Sequence, residues 1–259
     1  MIRVFIGYDV KEPAAFTVCC HSILRHASIP VSIVPIMLSQ LRQVFTRERH
    51  PLQSTDFAFS RFLVPYLSHY EGWSLFIDGD MIVTKDIADL WALRDEQYAV
   101  QVVKHDHAPK ADRKFFGAPQ TKYEKKNWSS VMLMNNKKCR ALTPDYVNTA
   151  TGLQLHQFKW LESDDLIGEL PEKWNHLVGY SEGASEVALI HYTEGGPYLD
   201  EYRTTRFAKQ WYLEKNAALF ADNGQQAEAS ARGLSGVESD ADHIPEDQFE
   251  GLEEESGWR

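Results

Sequence analysis

Two carboxylates separated by a single glycine stand inside an otherwise apolar run of residues 76–83. The pair is Asp78 and Asp80, with Gly79 between them. Burying two carboxylates side by side is costly unless a cation lies between them, so the spacing predicts a site of the DxD type for a divalent metal ion. The alternative is a turn in which both aspartates only cap the backbone, since Asp and Gly are both common in turns.

The residues before this pair predict how the chain presents it. Residues 73–77 are mostly apolar, which is typical of a strand buried on both faces of a parallel sheet. Ligands of such sheets bind beyond the carboxyl ends of the strands. We therefore expect two further turns at the same edge: residues 7–9 after the first strand, and residues 191–197 after a late strand.

The third predicted metal ligand is His191. Two carboxylates and one imidazole leave about three positions of an octahedral ion open, which suits Mn²⁺ or Mg²⁺ bound together with phosphate oxygens. Gly195 and Gly196 allow backbone N–H groups to approach such oxygens closely. A site of this kind stabilises a departing nucleoside diphosphate. The alternative for His191 is a histidine that ends a buried strand with one hydrogen bond.

The wider pattern alternates strands with helices and predicts an α/β fold with a mostly parallel central sheet flanked by helices. Strands are expected at residues 3–6, 31–38, 73–77, 98–103, 131–134 and 187–192, and helices after Pro13 and at residues 55–70, 144–150 and 198–220. Pro65 should kink or end the second helix. The polar stretch 104–127 predicts a long loop that acts as a lid. Residues 1–221 should form one domain, followed by a disordered acidic tail at residues 222–259.

Charge and composition narrow the class of partner. The formal charge is −10, and residues 222–259 alone hold 11 acidic and 2 basic side chains, so the body is nearly neutral. A neutral body with an acidic tail offers no basic surface for nucleic acid or anionic lipid. No signal peptide or membrane-length apolar run is evident, and the 3 cysteines show no disulfide or zinc spacing. We expect a cytoplasmic protein.

The order and spacing of several segments resemble those of the family-8 glycosyltransferases of the GT-A fold. This family includes glycogenin and bacterial lipopolysaccharide sugar transferases. The resemblance covers most of residues 1–215. It is carried by residues 4–9, Ser60-Arg61-Phe62 followed by Pro65, residues 76–83, 127–135, 160–166, 170–175 and 191–197.

The resemblance implies a role for each matching residue. Metal would be bound by Asp78, Asp80 and His191. The nucleotide part of the donor would lie against Gly7, Tyr8, Asp9, Gly79, Gly195 and Gly196, with Arg61 on the diphosphate or the sugar. The donor sugar would be held by Asn127, Ser129 and Ser130 together with Asp164 or Asp165. Glu162, Ser163, Asp164 and Asp165 form the candidate catalytic segment.

This chain departs from the family pattern at two places. Members commonly carry a phosphate-binding lysine before the proline that follows the metal histidine, whereas this chain has Gly196 before Pro197. The replacement cation would be Arg61, Lys85, Arg203 or Arg206. The second departure is Glu162-Ser163-Asp164 where an Asp-Gln-Asp pattern is usual.

Taken together, the sequence predicts a Mn²⁺-dependent or Mg²⁺-dependent glycosyltransferase that moves a sugar from a nucleotide sugar, a uridine diphosphate sugar, to a hydroxyl acceptor. The acceptor is a saccharide, a protein or a small molecule, and the resemblance implies retention of anomeric configuration. One rival is a phosphatase or phosphotransferase of the haloacid dehalogenase type, in which the first aspartate is a covalent nucleophile. The other is a nucleotide-sugar binding module without turnover.

Overall fold

The structure is a computed structural model, and it describes residues 1–49, 53–106, 124–181 and 186–220. Most of the predicted lid and the predicted acidic tail lie outside the described residues. Residues Met1–Leu219 form one compact unit. None of the helices in these four segments has the length and apolar character that crossing a membrane requires.

The strands form two sheets. In chain order they are β1 (Ile2–Gly7), β2 (Val31–Ile36), β3 (Trp73–Ile77), β4 (Met81–Val83), β5 (Val100–Val102), β6 (Val131–Asn135), β7 (Ile167–Glu169), β8 (His176–Leu177) and β9 (Leu189–His191). Among the described residues, the main sheet has six strands in the order β2-β1-β3-β6-β5-β7, and the second sheet has three in the order β4-β9-β8.

The main sheet is mostly parallel, which confirms the predicted fold class. Strand β1 runs parallel to β2 and β3, and β5 runs parallel to β7. Of the six strands described in this sheet, β6 alone is reversed, because it is antiparallel to both β3 and β5. The reversal places the start of β6 beside the end of β3, with Val131 opposite Ile77. The residues that follow β3 and those that precede β6 therefore meet at one edge of the sheet.

The late strand was predicted in the wrong sheet. Residues 187–192 were expected to extend the main parallel sheet, but β9 pairs antiparallel with β4 in the second sheet. The physical reason is that β4 follows the Asp78-Gly79-Asp80 turn directly and offers its own edge to β9. Strand β8 then pairs with the other edge of β9.

The helices are α1 (Pro13–His26), α2 (Val64–Leu67), α3 (Ile87–Ala92), α4 (Pro144–Thr149), α5 (Gly152–His156) and α6 (Ala208–Leu219). Helix α1 begins at Pro13, as the sequence predicted. The long helix predicted at residues 55–70 is wrong: a 3₁₀ turn at Ser60–Leu63 precedes the short α2, and Pro65 lies in the first turn of α2. Helix α6 begins later than predicted, after Phe207 in a left-handed conformation with φ of 66°.

Both faces of the main sheet are buried, which explains the continuous apolar runs in its strands. One face packs on residues of the 55–67 segment, including Phe62 and Leu63. The other face packs on α1 through Cys19 and Ile23. Because both faces are covered, ligands can reach the sheet at the ends of its strands.

Candidate metal centre

The Asp78-Gly79-Asp80 turn connects the two sheets, since it follows β3 of the main sheet and precedes β4 of the second. The backbone N–H of Asp78 donates to the carbonyl of Ser130, with N and O 3.0 Å apart. A Cβ atom added to Gly79 would lie 2.3 Å from the carbonyl oxygen of Gly7. The turn therefore fits against the end of β1 only because residue 79 has no side chain.

Strand pairing brings His191 to this turn. His191 is the register partner of Met81 in the β4–β9 pair. The N–H of Tyr192 donates to the carbonyl of Asp80, with N and O 3.1 Å apart. The imidazole is buried, and its Nε2 lies 3.5 Å from Oδ1 of Asp80.

The three predicted metal ligands are therefore brought together. One ligand atom from each of Asp78, Asp80 and His191 lies within 4.8 Å of the others. Two carboxylate oxygens and one imidazole nitrogen form a donor set that fits Mn²⁺ or Mg²⁺ and leaves coordination positions for further oxygen ligands. The donor chemistry of this cluster thus fits a divalent cation.

Of the four cations proposed from the sequence, Arg61 contacts a residue of this cluster directly. Its Nη1 lies 2.7 Å from Oδ1 of Asp78 and 2.9 Å from the carbonyl oxygen of Ser129. The guanidinium also lies over the rings of Phe57 and Phe76, at 5.2 and 5.1 Å from their centroids. These contacts fix the guanidinium beside one of the candidate metal ligands.

The other three cations contact different groups. Lys85 pairs with Glu186 at 3.5 Å, and both side chains are about half exposed. Arg203 pairs with the exposed Asp200, and Arg206 stacks on the ring of Phe207.

The predicted nucleotide-binding turn at residues 7–9 lies next to Gly79. Tyr8 is half-buried and packs edge-on against Phe16, with 5.2 Å between ring centroids. Asp9 is buried, and its carboxylate accepts hydrogen bonds from the N–H groups of Lys11 and Asp56, each at 2.9 Å. These bonds hold the turn against the 55–57 segment.

The predicted donor-sugar segment, residues 127–130, precedes β6. Asn127 has a left-handed backbone with φ of 64°. Ser129 and Ser130 are buried, and the hydroxyl of Ser129 lies 2.8 Å from Nδ1 of His156. Because Arg61 binds the Ser129 carbonyl and Asp78 binds the Ser130 carbonyl, this segment is tied directly to the metal cluster.

The candidate catalytic segment is exposed and contacts the donor-sugar side through one lysine. Nζ of Lys125 lies 2.6 Å from Oδ1 of Asp164, and this hydrogen bond holds the pKa of Asp164 below its usual value. The carboxylate of Asp165 instead accepts from the hydroxyl of Ser163 at 3.0 Å. Glu162 is exposed. The described contacts therefore connect Asp164, rather than Asp165, to residues 125–127.

The glycine pair after His191 is needed for local packing. Gly195 has φ of 142°, and a Cβ atom there would lie 2.6 Å from the ring of Tyr202. A Cβ atom on Gly196 would lie 2.3 Å from the ring of Tyr198. Local packing alone therefore favours glycine at both positions, whether or not a phosphate binds there.

Sequence reasoning missed Asn175. Its side chain is fully buried, and Oδ1 lies 2.9 Å from Nδ1 of His191. Its Nδ2 lies 3.0 Å from the Ser130 hydroxyl and 3.3 Å from the Asn127 carbonyl. A signal was present, because Asn175 ends the segment of residues 170–175 that carries part of the family resemblance.

A polar cavity of about 280 Å³ opens beside β8. Its lining includes Lys104, Glu169, Glu172, Tyr180 and Ser181. Leu177, which also lines it, is the register partner of His191. The cavity is therefore adjacent to the strand pair that carries the metal histidine.

The mostly parallel α/β sheet, with an Asp-Gly-Asp turn at its edge and a histidine from the second sheet beside that turn, has the fold of the GT-A type glycosyltransferases. Residues 14–196 match the family described as Glycosyl transferase family 8. Protein CDI of Arabidopsis thaliana is 46% identical over 221 residues, which cover 82% of this chain and 85% of that protein. The chain belongs to glycosyltransferase family 8.

Two solved structures show the same fold. The apo form of the glycosyltransferase GlyE from Streptococcus pneumoniae TIGR4 matches with a TM-score of 0.56 and 18% identity, over 90% of this chain and 64% of that one. The galactosyltransferase LgtC, solved with donor and acceptor sugar analogues, matches with a TM-score of 0.54 and 11% identity, over 88% of this chain and 100% of that one. The chain thus spans less than two thirds of GlyE.

Proposed function

We propose that the protein transfers a sugar from a nucleotide sugar, specifically a uridine diphosphate sugar, to a hydroxyl acceptor with the help of Mn²⁺ or Mg²⁺. The observation that carries this proposal is the cluster of Asp78, Asp80 and His191 ligand atoms within 4.8 Å, in a chain of glycosyltransferase family 8. A divalent cation bound by these residues would act as a Lewis acid that stabilises negative charge on the departing diphosphate.

The protein residues around the cluster would orient the donor. Tyr8 and the turn of residues 7–9 would receive the nucleoside. The N–H of Gly196 would face the phosphates, whereas the N–H of Gly195 donates to the carbonyl of Tyr192 at 2.9 Å. Arg61 would supply the positive charge that the family lysine supplies elsewhere, because its guanidinium is already fixed beside Asp78 at 2.7 Å. A planar guanidinium suits phosphate oxygens.

The sugar would lie against residues 127–130. We assign Asp164 as the carboxylate on that side, because Lys125 connects it to this segment. Asp165, Ser163 and Glu162 would shape the same segment. For transfer with retention, the acceptor hydroxyl would attack from the side of the departing diphosphate, and a phosphate oxygen would take its proton.

The polar cavity beside β8 is our candidate acceptor site. Its lining combines carboxylates, a lysine and two hydroxyl groups, which suit a molecule with many hydroxyls, and LgtC was solved with an acceptor sugar analogue. We therefore propose a saccharide acceptor in preference to a protein or another small molecule. The protein would work in the cytoplasm, since Cys19, Cys20 and Cys139 are all free thiols.

A donor screen tests this function against its rivals. The protein is incubated with Mn²⁺ and a panel of nucleotide sugars, and release of nucleoside diphosphate is followed. Slow hydrolysis of one donor supports the transferase. Release of phosphate from simple monoesters, with a phosphoaspartate trapped at Asp78, would establish the phosphatase instead. Binding of a donor without turnover would establish the binding module.

A further inference from the structure

The carboxamide of Asn175 connects two parts of the site, and both of its ends are engaged. Oδ1 faces Nδ1 of His191 at 2.9 Å. Nδ2 faces the Ser130 hydroxyl at 3.0 Å and the Asn127 carbonyl at 3.3 Å. The side chain is fully buried, so these protein groups determine its orientation.

The Asn127 carbonyl determines which way the carboxamide faces. A backbone carbonyl accepts hydrogen bonds and cannot donate them, so the group that faces it must be the NH₂ of Asn175. The oxygen of Asn175 must therefore face His191. An amide oxygen also only accepts, so Nδ1 of His191 must carry a hydrogen.

This assignment decides what the other ring nitrogen offers. In a neutral imidazole with hydrogen on Nδ1, Nε2 is an acceptor with a free lone pair. Nε2 lies 3.5 Å from Oδ1 of Asp80, which places a lone pair opposite a carboxylate. Two acceptors at this distance are compatible when a cation lies between them.

We propose that Asn175 is a positioning residue with two roles. Its oxygen fixes the His191 tautomer in which Nε2 is available to a divalent cation, and its NH₂ group holds the 127–130 segment that faces the donor sugar. The same side chain thus links the metal ligand to the donor segment. This inference rests on the proposed metal-dependent function. It assigns Asn175 to both metal binding and donor-sugar binding.

The substitution Asn175→Asp separates the two roles. A carboxylate still accepts from Nδ1–H of His191, but it cannot donate to Ser130 or to Asn127. The substitution Asn175→Ala removes both interactions. Asn136→Ala is the matched control, because Asn136 is also fully buried and donates to Glu71 and Ser74 outside the site.

The first measurement is the His191 tautomer, read by ¹⁵N NMR in metal-free protein at about pH 8.5, where an ordinary imidazole is neutral. We expect hydrogen on Nδ1 in the wild type and in Asn175→Asp. Hydrogen on Nε2 in the wild type would overturn the proposal. This readout needs neither metal nor donor, so it stands even if the proposed function fails, and it does not depend on whether Asn175→Ala folds.

The second measurement is Mn²⁺ affinity, followed by electron paramagnetic resonance, together with the KM for the donor. Asn175→Ala should lose about 10- to 100-fold in Mn²⁺ affinity, the usual effect of removing a partner of a metal-ligating histidine. Asn175→Asp should bind Mn²⁺ as the wild type does but raise the donor KM. Unchanged Mn²⁺ affinity in Asn175→Ala, or the same loss in Asn136→Ala, would overturn the proposal. A wild type that binds no Mn²⁺ would instead refute the proposed function.

Discussion

Arg61 and Asp78 form an ion pair in which Nη1 and Oδ1 are 2.7 Å apart and the side chains are only 7% and 13% exposed. The same carboxylate belongs to the candidate metal cluster. Arg61 therefore balances part of the negative charge that Asp78 and Asp80 bring to one turn. It also fixes the direction of the Asp78 carboxylate, because the guanidinium is itself held by the Ser129 carbonyl.

Replacing Arg61 with alanine should lower both stability and donor use. Breaking a largely buried ion pair leaves Asp78 without its counter-charge and should cost about 3 kcal/mol in the free energy of unfolding. The variant should also show a higher KM for the donor, because the guanidinium would no longer face the phosphates. Urea denaturation and donor kinetics measure the two effects.

Lys85→Ala is the control for this comparison. Its ion pair with Glu186 is about half exposed and screened by solvent, so its loss should leave the free energy of unfolding nearly unchanged. If both variants had equal and small effects on donor use, Arg61 would not be the replacement for the family lysine.

Gly79→Ala should disturb the metal turn through steric contact. The new Cβ atom would lie 2.3 Å from the carbonyl oxygen of Gly7, so the turn must move away from β1. We expect a loss of about 1 to 3 kcal/mol in stability, measured by urea denaturation, and weaker Mn²⁺ binding.

Gly72→Ala separates this effect from backbone strain. Gly72 has φ of 60° and open space around it, so alanine there should cost about 1 kcal/mol and leave Mn²⁺ binding intact. Wild-type Mn²⁺ affinity in Gly79→Ala would show that the close contact with Gly7 does not position the metal ligands.

The pKa of Asp164 should depend on Lys125. In the wild type the Lys125 ammonium lowers the pKa of Asp164 below its ordinary value of 3.8. The contribution of this pair to stability is therefore present above the unfolded pKa and is lost as the pH falls through the lower folded value. Lys125→Met should return the pKa toward 3.8, as measured by NMR titration of the carboxyl carbon. No change would show that the pair does not persist in solution.

Deleting residues 222–259 should leave the melting temperature and donor hydrolysis nearly unchanged. Helix α6 has its own anchors, since Trp211 is buried and Glu214 accepts hydrogen bonds from His21 at 2.5 Å and Arg25 at 3.1 Å on α1. Differential scanning calorimetry of the truncated chain measures the effect. A truncated protein that unfolds would mean that the domain does not end near residue 221.

The fold class was predictable because its signals are local. Pro13 and the helical spacing of the apolar residues after it predict α1. The continuous run of apolar residues in β3 indicates a strand of a parallel sheet that is buried on both faces. The long helix predicted at residues 55–70 was wrong, because this segment consists of turns, a 3₁₀ turn and the short α2. Its apolar side chains still pack on the main sheet, and apolar content alone does not distinguish such a segment from one long helix.

The residues of the site could be predicted where their type indicates their chemistry. The strand pairing that brings them together could not. Asp78, Asp80 and His191 were grouped correctly, but the expected reason was a shared parallel sheet. His191 arrives instead through antiparallel pairing of β9 with the three-residue β4, which is too short to carry a clear pattern. Asn175 directly precedes β8 and contacts His191 of the neighbouring β9, 16 residues away in the sequence, so no local signal identifies its partner.

The most direct test of metal-dependent transfer is the release of nucleoside diphosphate from the accepted donor while EDTA-stripped protein is titrated with Mn²⁺. We predict that the wild type is inactive after stripping and recovers with Mn²⁺. Asp80→Asn and His191→Ala should fall at least about 10²-fold below it, while Asp200→Asn, an exposed aspartate paired only with Arg203 in the described contacts, keeps full activity. Wild-type turnover that EDTA leaves unchanged would contradict the account.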